Sequence, residues 1–518
     1  MSSVTTTPVT GPAPALAEPP RDGGRIRAVL ALALFETREL LLQIQILFFL
    51  AIEVGLVALR MIRQEGMDDY PILNMADRAT QSAGLFAIAV LVCTNAAALR
   101  SRRHATEQQF AMLPMEPWRR TVAHLLSVVP FAALVAVLVA VEYVREAMKP
   151  GAIGHGSLGE LAVAPLTTLL AGVVGVLLAR ALPSPFVPIL FVIALYMAMV
   201  AASAAGGEDE WWGWLSPLVL APDGGGDPVP SDLLGRPAAW HAVYMLGLCA
   251  IVACAALLYS GGRTRAVKAA TALALATTAA GVIGQMPHDT AALETARRTA
   301  TETPEKVQSC TKLDGSTYCS FPEWDGVRSH WAEVVDRVRS LAGGAAATTP
   351  LTVRQRIDVS GGVEVDSTLA SSTIAGQVTV GTRWGGNRVP EFAVGAASVL
   401  VAGTEAAAEQ HMCNARAVTV MWLALGADPT PMATFKNVRL NDSAKGSDYA
   451  LTPTNPLHLT ADQTTVVREL LKRPRAEMTA RVKTHWKELT STTTTTAQAA
   501  RLLGVPVPKE AESCDDSE

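Results

Sequence analysis

Apolar and polar positions alternate along the first 286 residues on the scale of whole helices. Apolar runs of about 20 residues, at 41–61, 81–99, 121–142, 161–181, 186–205, 240–260 and 266–286, stand between short polar or basic segments. Each is about as long as a helix needs to cross the hydrocarbon core of a bilayer. The Pro-rich turn Leu182–Pro188 divides the fourth run from the fifth and predicts a hairpin in place of one long helix. The last run is rich in Ala and Thr and is the least apolar. Ahead of them all, Arg25–Glu39 carries charges at both ends of an apolar stretch. That suits either an amphipathic helix lying in the membrane interface or a simple extension of the first span. Residues 1–24, rich in Thr, Pro, Ala and Gly, lack the apolar core of a signal peptide and read as a disordered tail.

Beyond residue 286 the pattern is that of a folded polar domain. Helical spacing predicts helices at Ala291–Glu302 and Ser329–Leu341, and alternation predicts strands at Leu351–Asp358 and Gly376–Trp384. The apolar run Ala393–Val401 also reads as a strand. Glu405–Leu425 reads as one helix ended by Gly426, its apolar part too short to span a membrane. Further helices are expected at Thr460–Leu471 and Arg475–Leu489, with Thr496 capping a last one at Ala497–Leu503. The acidic end, 510–518, reads as disordered. The expected fold class is a polytopic α-helical membrane protein of about six or seven transmembrane helices (25–286), followed by an α+β extracytoplasmic domain (287–509).

Composition sharpens this picture at a few points. Only 17% of the residues are charged, against about 25% in an ordinary soluble domain, and the deficit falls in residues 40–286. A net charge of −4, with no basic block interleaved with aromatics, gives no support to a nucleic-acid partner. Of the seven cysteines, Cys93, Cys249 and Cys254 sit within apolar runs and read as small buried hydrophobes. Cys310 and Cys319 bracket the polar loop TKLDGSTY. They are either a disulfide-closed turn, which persists only in an oxidising compartment, or two unrelated thiols. Cys413 and Cys514 offer a second bridge, but four cysteines allow three connectivities.

Orientation follows from Lys and Arg near the span ends. With the N-terminus inside, inner segments hold thirteen and outer loops six, the bias expected of a cytoplasmic N-terminus. An odd number of spans then puts residues 287–518 outside. Trp211, Trp212 and Trp214 fall in an outer loop, where indole rings suit the membrane–water interface.

Sites of chemistry are few. The chain contains no G-x-x-x-x-G-K-[ST], no H-E-x-x-H and no G-x-S-x-G, so it offers no phosphate-cradling loop, zinc-protease helix or hydrolase elbow. His411 with Cys413 gives two candidate ligands, too few for a metal site, and His330 beside Trp331 is similarly unsupported. Polar residues inside apolar runs carry more weight, since they are costly in lipid. Glu53 lies within the first span, Asn95 near the inner end of the second and Glu142 at the outer end of the third. Glu53 suits either a transport pathway or a hydrogen bond that holds the bundle together.

The segment Arg100–Arg120, RSRRHATEQQFAMLPMEPWRR, separates the second and third spans. Thr106 and Gln109 have capping-box spacing, Pro114 stops a helix, and Pro117 suits the first turn of the next. A short basic helix between two spans is expected, or else a solvated loop that only fixes topology. This pattern, with an amphipathic leading helix, a pair of spans, the basic inner loop and four more spans, resembles the permease subunits of ABC-2-type transporters of bacterial exporters. The resemblance covers about residues 25–260. It implies that the loop is a coupling helix docking on a separate ATPase subunit, through Glu107, Phe110, Leu113, Pro114, Arg119 and Arg120. It also implies a multi-pass protein of the bacterial cell membrane, paired with itself or a second permease. ATP and Mg would be held by the partner, with no cofactor in this chain. The seventh span and the outer domain depart from the family pattern, which has six spans and both ends inside. Other readings are a membrane-anchored sensor or scaffold whose outer domain binds a ligand or partner protein, and, more weakly, a membrane-bound hydrolase.

Overall fold

The computed structural model describes residues 22–65, 69–80, 83–103, 115–205, 215–216, 228–286, 290–359, 369–409, 412, 414–442 and 447–508. The N-terminal part is all helical. Helix α1 (Asp22–Leu41) is followed after a break at Leu42–Gln43 by α2 (Ile44–Glu65), so the amphipathic stretch is a helix of its own and not an extension of the first span. Next come α3 (Leu73–Ala79), α4 (Gly84–Ala98), α5 (Pro117–Leu126), α6 (Val129–Ala147), α7 (Leu158–Ala181), α8 (Val187–Ala205), α9 (Ala238–Tyr259) and α10 (Arg265–Gln285). Among the described residues, six helical stretches are long and apolar enough to cross a membrane: Ile44–Arg63, Leu73–Ala98, Pro117–Ala147, Leu158–Ala181, Ala238–Tyr259 and Arg265–Gln285. The expected third span begins earlier, at Pro117, and is two helices. The chain breaks at Ser127–Val128, just ahead of Pro130, whose missing N–H and bulky ring interrupt a helix. Ser157 caps α7 by accepting from the Gly159 N–H (3.2 Å), and Thr264 caps α10 by accepting from the Val267 N–H (3.2 Å).

Helix α7 is the centre of the bundle, packed between α4 and α9, while α10 lies along α9. Small residues permit this closeness, since in lipid the association of helices rests on packing and interhelical hydrogen bonds. A Cβ at Gly175 of α7 would stand 2.3 Å from the Leu91 carbonyl oxygen of α4, and one at Gly281 of α10 would stand 2.5 Å from the Tyr244 backbone of α9.

The C-terminal part joins helices to two small sheets. Helix α11 (Thr290–Glu302) leads into a four-stranded sheet of order β1-β2-β3-β4: β1 (Ser309–Leu313), β2 (Ser316–Ser320), β3 (Thr352–Gln355) and β4 (Gln377–Val380). The first pair is antiparallel and the other two are parallel. Asp314 and Gly315, at φ 47° and 81°, make the two-residue turn between β1 and β2. Both central residues of a tight hairpin turn need positive φ, which Asp-Gly supplies. Cys310 and Cys319 face each other across that hairpin and are disulfide-bonded. Helices α12 (Arg328–Leu341), α13 (Arg388–Ala402), α14 (Glu405–Glu409) and α15 (Ala415–Leu425) follow, then an antiparallel sheet of β5 (Arg439–Asp442), β6 (Ser447–Ala450) and β7 (Leu457–Leu459). The chain closes with α16 (Ala461–Leu471), α17 (Arg475–Thr484) and α18 (Thr496–Leu503).

Three expectations need correction. Ala393–Val401 is not a strand but the body of α13, where residues 392–399 are all buried. A helix buried on every side shows no polar face, so its periodicity is silent. Glu405–Leu425 is two helices, because the Asn414 side chain accepts from the Arg416 N–H (3.0 Å) and starts a new one. The last helix is capped by Thr495, not Thr496, in a capping box with Gln498.

The two parts share one apolar core. Ile72, Ile153, Val229 and Leu233, from three loops of the bundle, are buried in the same cluster as Tyr318, Phe321, Trp324 and Trp331. Hydrogen bonds reinforce the joint, Tyr70 N to Trp384 O (2.6 Å) and Ser231 N to Glu323 Oε1 (2.7 Å), while Asn74 Nδ2 to Val229 O (2.9 Å) ties two of the bundle loops together. The opposite end of the bundle brings together Leu99, Pro117, Arg180 and Ser260. The chain therefore leaves Leu182 at one end and reaches Val229 at the other, with α8 among the residues between them. It is the expected 186–205 segment, although its described apolar stretch is only Val187–Ala198.

Replacing Gly175 with Val should destabilise the detergent-solubilised protein by roughly 1–3 kcal/mol through overpacking. Gly55→Ala, at a position with nothing within 4 Å of the added carbon, should be neutral or stabilising. Thermal unfolding of the two variants checks this, and equal midpoints would refute the close approach.

Candidate functional site

The end of the bundle away from the sheets carries the arginine-rich segment between two spans. A single helical turn, Arg100–Arg103, continues from α4, and Pro117 opens α5 at its first position. Arg119 and Arg120 lie in that first turn. Arg119 Nε donates to Glu116 Oε2 (3.1 Å) and its guanidinium sits 4.9 Å from the centre of the Trp118 ring. Trp118 Nε1 donates to the same carboxylate oxygen (2.6 Å), so Glu116 organises both neighbours. Arg120 Nη2 donates to the Met115 carbonyl (3.1 Å). Glu107, Phe110, Leu113 and Pro114, the remainder of the expected coupling set, and the capping pair Thr106 and Gln109 lie outside the described residues.

Helix α1 supports this end. Val29 and Ala33 pack on Ala123 of α5, and Glu36 and Glu39 face Arg100 at 3.5 and 3.9 Å. Its other face leaves Ile26, Leu30, Leu34 and Phe35 exposed, as a helix lying against lipid would. The turn after α9 closes the group: Thr121 and Ser260 hydroxyls are 2.7 Å apart, and Arg263 and Arg265 are exposed just beyond.

The polar residues expected within spans have separate fates. Asn95 is buried and its Nδ2 donates to the Gly175 carbonyl (3.1 Å), at the tightest crossing of α4 and α7. Beside it Thr94 Oγ1 donates to Gly172 O (3.1 Å). Glu53 is buried, with Oε2 lacking a hydrogen-bond partner among the described residues. The charges acting on it are Arg60 and Glu142. Those two form a bidentate pair between α2 and α6, Nε to Oε1 at 2.8 Å and Nη2 to Oε2 at 3.0 Å. A second bidentate pair, Arg236 to Glu160 at 2.6 and 3.2 Å, ties the segment before α9 to the first turn of α7. Sequence reading missed the partners, Arg60 and Arg236, because it counted them only as loop charges. A lone acid near the end of an apolar run was the signal that a cation at matching depth should exist.

His330 Nδ1 is 3.1 Å from the Tyr70 hydroxyl, a contact across the joint between the bundle and the C-terminal part. Among the described residues no group of three or more His, Cys, Asp or Glu side chains is placed to hold a metal. His411, Cys413, Cys514, Trp211, Trp212 and Trp214 lie outside the described residues. Within the C-terminal part, the buried Glu405 carboxylate accepts from the Ser372 N–H and Thr379 Oγ1 (both 2.8 Å). Burial raises its pKa, while these donors and the Thr379 N–H oppose the rise. It ties the chain before β4 to α14.

No protein-family model matches this chain, and neither a curated protein nor a solved structure is significantly similar to it.

Loss of the Glu142 charge in E142Q should destabilise the protein by about 1–3 kcal/mol, since Arg60 keeps its desolvation cost without its partner. The double variant R60Q/E142Q should be more stable than the sum of the single losses. Additive losses in a thermal-unfolding cycle would show that the pair is not coupled.

Proposed function

We propose that this chain is the membrane-spanning permease subunit of an ABC-2-type exporter in a bacterial cell membrane. In this reading the N-terminus and the arginine-rich end face the cytoplasm, and residues 287–509 form an extracytoplasmic domain. The separation of charge carries the proposal. Arg100, Arg102, Arg103, Arg119 and Arg120 cluster around one short segment between spans, at the end opposite the disulfide-closed part. Basic residues favour the cytoplasmic side, and disulfides favour the oxidising one. The chain has no P-loop of its own, so force would come from a separate ATPase that holds ATP and Mg. The segment 104–120, with Phe110 and Leu113 as apolar contacts and Arg119 and Arg120 at its base, would be the docking element. A dimer, with itself or with a second permease, completes the transport unit.

A second reading is a membrane-anchored sensor or scaffold without transport. The observation in its favour is the shared core, which joins a C-terminal part of more than 200 residues to three loops of the bundle. Ligand binding there would be felt directly by the helices.

A mild-detergent pull-down of the tagged chain from its native membranes distinguishes the two. The permease reading expects a P-loop ATPase in stoichiometric amount, lost in E107A and R119A variants that still insert in the membrane. Absence of any ATPase, under conditions that keep a known transporter complex intact, would favour the sensor.

A further inference from the structure

Only 17% of the span in α2 is buried, yet the acid at its middle is hidden. Glu53 is the tenth residue of Ile44–Arg63 and is 4% exposed. It stands with Ile46 and Val57 on the stripe of α2 that turns inward, where α4 and α6 pack against the helix. Helix α4 brings no charged side chain to this contact, and its titratable group is the buried Cys93. Oε2 of Glu53 has no hydrogen-bond partner among the described residues. A hydrogen bond that holds the bundle together is therefore not made by that oxygen.

The charges acting on Glu53 are Arg60 and Glu142. Arg60 stands two turns further along α2, about 10 Å along the axis, and its Cα–Cβ bond tilts toward the turn of Glu53. Both oxygens of Glu142 engage Arg60, at 2.8 and 3.0 Å. The other polar groups at that end of α6 are taken up locally. Glu146 accepts from Arg145 (3.1 Å) and Lys149 (2.7 Å), and Tyr143 Oη accepts from the Gly156 N–H (2.8 Å). Two carboxyls thus share the field of one guanidinium, which can neutralise one of them. A second negative charge, buried at mid-membrane beside an oxygen that no donor reaches, is too costly to keep and is removed by protonation.

We propose that Glu53, Arg60 and Glu142 form a proton-binding site within the membrane, holding one proton on Glu53 while Arg60 pairs with Glu142. When Arg60 turns to Glu53, the O–H bond of Glu53 breaks and its proton leaves to water, while water delivers a proton to Glu142. The three groups keep a net charge of zero throughout, and the proton belongs to the set. The exchange links the middle of the membrane with the end of the bundle that carries the C-terminal part. It needs membrane insertion but no ATPase, so it stands or falls separately from the permease reading.

Infrared spectra of the full-length protein in detergent at neutral pH read the C=O stretch of carboxylic acids, which ionised carboxylates lack. The band is taken as the part lost when both Glu53 and Glu142 are replaced by Gln in the same background. The native chain should show one such band, sensitive to heavy water, and E53Q should lack it. E142Q leaves Arg60 to Glu53 and should abolish the band, whereas R60Q removes the cation and should double it. Each of these two substitutions decides alone should the other fail to fold. No acid band in the native chain would overturn the proton on Glu53. A band that E142Q leaves unchanged, or that R60Q leaves undoubled, would show carboxyls that do not share a cation and overturn the site.

Discussion

The structure depends on one shared apolar core, in which Ile72, Ile153, Val229 and Leu233 meet Phe321, Trp324 and Trp331. Burying side chains of this size is the main favourable term available to a water-exposed joint. The residues come from the segments after α2, after α6 and before α9, so three loops must lie at the same end of the bundle as the sheets. That requirement fixes the direction of every helix between them.

The helices that carry this joint meet each other by a different rule. Within the bundle, Gly175 and Gly281 let backbones approach, and the Thr94 and Asn95 side chains use the opened space to bond carbonyls across the gap. Charge is placed at the ends. The pairs Arg60–Glu142 and Arg236–Glu160 stand nearer the joint, while the arginine-rich segment Arg100–Arg103 lies at the other end. The two ends of the bundle thus present different faces to their surroundings.

Much of the helical part was legible because apolar runs of this length, long enough to cross a membrane, mark the helices directly. Helices α2, α4, α7, α8, α9 and α10 begin or end within a few residues of the runs that predict them. The helix expected at Thr460–Leu471 is α16, and the capping box of Thr460 with Gln463 that opens it was a signal left unread. The break at Ser127–Val128 and the division of α14 from α15 were overlooked, although Pro130 and Asn414 were their signals. The strand reading of 393–401 failed for a deeper reason, since a fully buried segment has no polar face to betray its period. Strands β5 to β7 are three or four residues each and too short to show alternation. For the site, the basic segment was visible as composition. The pairing of Arg60 with Glu142 was not, because it joins two helices that no linear spacing relates.

The shared core also has a mechanical consequence. Its four bundle residues are anchored to the ends of α2, α3, α6, α7 and α9, so none of those ends can shift alone without opening the core to water. Tilting any of them would carry the whole C-terminal part along as a rigid body, and a small change of angle in the bundle would become a displacement that grows with distance from the joint.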